Sequence, residues 1–167
     1  MPESLPAFLK RRADRSLNYI LRQAEAVSIE EAFRGCSANW PDQPWGIGQD
    51  GSVAGIVYHV ASWKQLTLPL FEPNGEALTR ADFDPTAAPD PKDWQALLRW
   101  LRRIGVEWNT ALNALAETEF DCLKDWEGGA QMSIAQYASE MIQHDVQHAA
   151  QIEYLRQLYT SDSNRLR

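Results

Sequence analysis

Apolar residues recur every three to four positions along four long segments of this chain, and two-residue alternation is sustained nowhere. That period belongs to helices with one buried face, so the expected fold is all-α. Leu5, Phe8, Leu9, Ala13, Leu17, Ile20, Leu21 and Ala24 define a first helix over residues 5–27. Ile56, His59, Trp63, Leu66 and Leu70, widened by Val53, Val57 and Val60, define a second over 51–70. The third runs to about Glu117 and buries Trp94, Leu97, Leu98, Leu101, Ile104, Val106, Trp108, Leu112 and Leu115. Its start is read from Asp90 as N-cap, Pro91 at the first helical position and Asp93 at the positive end of the helix dipole. Ser133 and Gln136 form a capping box that opens the fourth helix, with Tyr137, Met141, His144, His148, Ile152 and Leu155 on one inward stripe. The polar tail SDSNRLR is expected to fray.

The connections are long. Residues 35–51 are dense in Gly and Pro, and Trp40 and Trp45 are expected to pin that stretch to the core. Residues 71–91 mix prolines with acids and exclude a continuous helix. This loop is expected to fold over one end of the bundle and shape access to its interior, with Phe71 and Phe83 as anchors. Four amphipathic helices of this length make a four-helix bundle, whose sites are built from inward side chains on facing helices. With no internal boundary, residues 1–167 are read as one domain, large enough to bury a core without staples.

Charge and cysteine usage narrow the function. A net charge of −7 with no basic run makes a poor partner for nucleic acid, which demands a clustered positive footprint. Lys10-Arg11-Arg12 and Arg99 with Arg102-Arg103 sit inside amphipathic patterns and read as solvated faces. No stretch is apolar for long enough to span a membrane, and the N-terminus lacks the apolar region of a signal peptide. Cys36 and Cys122 stand far apart in no CxxC spacing, which suits free thiols in a cytoplasmic protein. Both are expected as small, partly buried apolar residues.

The chemistry is concentrated in three histidines, the whole complement of the chain. His144 and His148 are one helical turn apart on the inward stripe, close enough for one metal ion to bridge both imidazoles. His59 lies on the apolar face of another helix and completes a set of three. Apolar surroundings favour neutral imidazole, the form that binds a metal. Three protein ligands leave positions open, which marks a catalytic divalent transition-metal site instead of a closed structural one. Metal affinity is expected to fall as protons compete at low pH. A carboxylate-bridged di-iron centre needs paired Glu-x-x-His motifs, whereas Glu140 stands four residues before His144 and has no second copy. Glu140 and Tyr137 are the candidates for proton transfer. Asp145, Gln143 and Gln147 could orient imidazole N–H groups, although helix register turns them from the inner stripe.

Around these residues the chain resembles the DinB/YfiT-like metalloenzyme superfamily. The match lies in Tyr58-His59-Val60-Ala61 and in the HxxxH that continues into Gln151-Ile152-Glu153-Tyr154-Leu155-Arg156. The resemblance implies an up-down-down-up bundle, zinc or nickel held by His59, His144 and His148, and a homodimer. Characterised enzymes similar to it act with low-molecular-weight thiols, among them bacillithiol transferases and mycothiol-dependent maleylpyruvate isomerases. Some members place an acid shortly after the first histidine; here that stretch is Ala61-Ser62-Trp63. The expected function is a metal-dependent enzyme of thiol-dependent S-transferase, isomerase or hydrolase type, acting on a small molecule. The alternative is a non-catalytic, metal-stabilised dimeric bundle that binds a small ligand or a partner protein. A substrate-sized cavity with polar groups beside the metal ligands would favour the enzyme.

Overall fold

The computed structural model of the chain describes residues 2–35, 51–72, 75, 83, 85–125 and 131–165, with side chains to residue 160. Helix α1 spans Leu5–Glu25, and the hydroxyl of Ser4 accepts from the Ala7 amide at 3.4 Å to cap it. A four-residue helix α2, Ile29–Ala32, follows behind a Ser28/Glu31 capping box that periodicity does not reveal. Helix α3 is Val53–Thr67, capped by Ser52. It tightens into a 3-10 turn over Leu68–Phe71, where Pro69 cannot donate to an α-helical ladder. Helix α4 is Trp94–Ala114 and α5 is Ile134–Arg165. Trp40, Trp45 and Cys36 lie outside the described residues.

The structure corrects several expectations. The cap of α4 is Asp93, whose carboxylate accepts from the Ala96 amide at 2.9 Å. Asp90 instead closes the preceding turn through the amides of Lys92 and Asp93. Both aspartates suit a cap; the one next to the first packed residue, Trp94, is used. The third helix stops at Ala114, and a 3-10 turn over Glu117–Asp121 leads into a small antiparallel hairpin. Its strands, β1 (Leu123–Asp125) and β2 (Gln131–Ser133), are too short to show alternation. The Ser133/Gln136 box opens α5 as expected, with both reciprocal bonds made at 2.8 and 3.2 Å. The backbone of the tail is helical to Arg165. Leu5, Phe8 and Val106, read as core, are exposed. Cys122 is exposed too, because its backbone links the 3-10 turn to α5 through Glu119 and Ile134 and sets it at the surface.

Pairwise contacts define the topology. Tyr19 meets Glu153 and Gln23 meets Arg156, so α1 and α5 run parallel. Tyr58 packs on Trp100, and Thr67 bonds Trp108, so α3 and α4 are parallel as well. Asp14 meets Asn109, while Val27 meets Trp94, which makes α1 antiparallel to α4. The result is an up-down-down-up four-helix bundle. Gly105 lets α4 approach α1 closely: a Cβ there would stand 2.4 Å from a Leu17 methyl carbon.

The core is divided lengthwise. One apolar cluster gathers Leu17, Ile20, Val57, Leu97, Leu101 and Ile152. The other gathers Leu9, Phe71, Trp108, Leu112, Phe120 and Met141. Between their positions on each helix lies a polar layer: Ser16 on α1, Lys64 on α3, and His144, Asp145 and His148 on α5. Two of the three candidate metal ligands, His144 and His148, belong to this layer.

Candidate metal centre

Antiparallel packing of α3 on α5 brings His59 to His144 and His148. The Nε2 atoms of His59 and His144 are 2.9 Å apart. Ring centroids are separated by 4.9 Å for His59–His144, 5.0 Å for His59–His148 and 4.4 Å for His144–His148. One ligand atom from each ring lies within 4.8 Å of the other two. This is the group that could hold a metal ion among the described residues.

The donor set fits a divalent ion. Two imidazole nitrogens that face each other at 2.9 Å can share one proton or converge on one cation. At metal–nitrogen bonds of ~2.0–2.1 Å, two ligands on one ion lie no more than about 4.2 Å apart. At tetrahedral angles that separation is about 3.4 Å, so the widest pair, up to 4.8 Å, closes with shifts of about 0.7 Å in each side chain.

Electrostatics favours the neutral form of His144 and His148. Burial, then His148, His59 and Lys64, pushes the His144 imidazole down to about 2. Burial also lowers His148, opposed by its bond to Gln151 and by the charge of Asp145. Protons therefore compete with a metal at lower pH than the ordinary imidazole range implies. Gln151 Oε1 lies 2.7 Å from His148 Nδ1. The amide oxygen accepts, so the proton sits on Nδ1 and the Nε2 lone pair is left for a metal. This orienting role was not read from the sequence; its signal is the i+3 spacing of Gln151 from His148.

Asp145 does not orient an imidazole. Its Oδ2 accepts from Lys64 Nζ at 2.9 Å and from Ser16 Oγ at 3.0 Å, and both charged side chains are 1% exposed. The Lys64 ammonium also stands 4.7 Å from the centre of the Trp108 ring. One buried node thus ties α1, α3, α4 and α5 together beside the histidines. Gln143 and Gln147 are exposed, as helix register predicted.

A cavity of about 280 Å³ opens beside His144. Trp63, Met132, Tyr137 and Met141 give it apolar walls, and Glu140, Gln143 and Gln147 add polar groups. The two proton-transfer candidates, Glu140 and Tyr137, therefore share one cavity. The Tyr137 hydroxyl donates to the Asp125 carbonyl at 3.2 Å, and burial pushes its pKa up to about 12. Phe71 packs on Trp108 and Phe83 on Tyr58, so both act as anchors for the loop between α3 and α4. Neither lines this cavity, and residues 76–82 of the loop lie outside the described residues.

A family model described as the DinB superfamily matches residues 6–152, a span that includes all three histidines. The chain belongs to the DinB superfamily. Comparison with curated proteins and with solved structures returns no significant match. For this DinB protein, family and geometry meet at one point: three histidines close enough to hold a metal ion. Among the described residues, no helix is long and apolar enough to cross a membrane.

Proposed function

We propose that this DinB protein is a divalent-metal-dependent enzyme, of transferase, isomerase or hydrolase type, with His59, His144 and His148 as ligands and zinc or nickel as the metal. The observation that carries the reading is the convergence of three imidazoles beside a substrate-sized cavity with polar groups in its wall. A closed structural site would have a fourth protein ligand and would not need a cavity. A bound ion would supply Lewis acidity and activate water or a low-molecular-weight thiol near neutral pH.

The chain's own residues would do the rest. Gln151 fixes the tautomer of His148, and the Lys64–Asp145 pair fixes how α3 and α5 face each other. Glu140 is the better proton-transfer group of the two candidates. The Tyr137 phenol is held protonated by burial, which makes it a wall and hydrogen-bond donor instead of a base. The reading includes a homodimer, supported by the family and by exposed Leu5 and Phe8 on α1; sedimentation showing only monomer at micromolar concentration would remove that part.

The test is elemental analysis of untagged protein, followed by thiol-transfer and hydrolysis assays with the metal present. About one divalent ion per chain, lost together with activity in His144→Ala, is the expected result. A metal-free protein that refuses zinc and nickel would overturn the reading.

A further inference from the structure

The cavity beside His144 carries a charge pattern that selects its occupant. Glu140 contributes a carboxylate to the lining, and no lysine or arginine contributes a cation among the described residues. Arg12 lines a separate groove that shares Gln143 and Gln147. The remaining wall is built from the Trp63 indole, the Tyr137 ring and the thioethers of Met132 and Met141. Aromatic faces attract cations, and thioethers adapt to an apolar body of varied shape. Gln143 and Gln147 can donate or accept at the rim.

From this wall we propose that the substrate is a small molecule with a mainly apolar body and a cationic group, such as an amine, that pairs with Glu140. An electron-pair donor elsewhere on the molecule would face the histidines. The inference rests on the reading of this cavity as the substrate site.

The probes are benzyltrimethylammonium and phenylmethanesulfonate, similar in size, opposite in charge and poor metal ligands. Their binding is followed by ¹H–¹⁵N shifts of the Gln143 and Gln147 side-chain amides, in metal-free and in zinc-loaded protein. The cation should shift these signals and bind at least about fivefold more tightly than the anion in the metal-free protein, the scale of one exposed charge pair. Glu140→Gln should remove most of that difference while leaving zinc content unchanged. Equal or tighter binding of the anion, binding of neither probe, or a preference that survives Glu140→Gln would overturn the proposal. Because the metal-free protein carries the comparison, failure here is distinct from failure to load zinc, which would overturn the metal reading instead.

Discussion

Replacing Lys64 by Met should be among the most damaging single changes outside the histidines. The substitution keeps an unbranched apolar stem of nearly the same length, and its thioether can pack near the Trp108 ring over which the ammonium stood. It deletes the ammonium 2.9 Å from Asp145. The carboxylate is then left buried with Ser16 as its remaining partner, and its Oδ1 already has none among the described residues. Breaking a buried pair in this way costs about 3–5 kcal/mol. With a urea slope of roughly 2 kcal/mol/M, the unfolding midpoint falls by about 2 M. Asp145→Leu should cost a similar amount, because it strands the ammonium. The double variant Lys64→Met/Asp145→Leu removes both charges and both desolvation penalties, so it should lie within about 1 kcal/mol of the parent. Urea melts of metal-free protein at pH 7, followed by far-UV circular dichroism, would close the cycle with a coupling of at least about 3 kcal/mol. If the double variant loses the sum of the single losses, the pair is not acting as a unit and the reasoning fails.

Alanine at His59, His144 or His148 should each abolish stoichiometric zinc binding, since two imidazoles hold zinc poorly against buffer; a triple alanine variant that retains the parent's metal content would refute the site. Gln151→Leu should weaken zinc about 10–100-fold with little change in helicity, by releasing the proton held on His148 Nδ1, and isothermal titration would read it. Acid should destabilise the metal-free protein through His144. Its folded-state pKa is about 2 against an ordinary 6.5, so between those values the unfolded chain binds a proton that the folded chain does not. Stability is complete above about 6.5 and falls as pH drops, by up to ~1.4 kcal/mol per pH unit from this group. Urea midpoints at pH 7.5, 6.0 and 5.0 should show a shallower decline for His144→Gln than for the parent, and identical declines would count against burial of a neutral imidazole.

The hydrophobic period alone determined the fold class, because 3.6-residue spacing on four long segments can be buried only helix against helix. It also placed His144 and His148 together, since residues four apart share a helix face whatever the helix packs on. The Ser133/Gln136 box marked the start of α5 for the same local reason. Local rules failed where two solutions competed or where a neighbour decided. Asp90 and Asp93 are equally good caps in isolation, and packing of Trp94 chose between them. Leu5, Phe8 and Val106 continue apolar stripes, yet a bundle neighbour covers only part of a helix's circumference and these positions fall outside it.

Only the tertiary structure brought His59 to a pair 85 residues away, because the crossing and axial register of α3 on α5 are properties of the packed core. The same holds for the buried node. Lys64 and Asp145 each look like a surface charge out of place, and a sequence carries no mark of which distant opposite charge will meet them. The physical reason is one of range. Helix formation and capping are settled by contacts within about four residues, whereas a ligand set or a buried ion pair exists only after chain entropy has been overcome by the collapse that seats one helix on another.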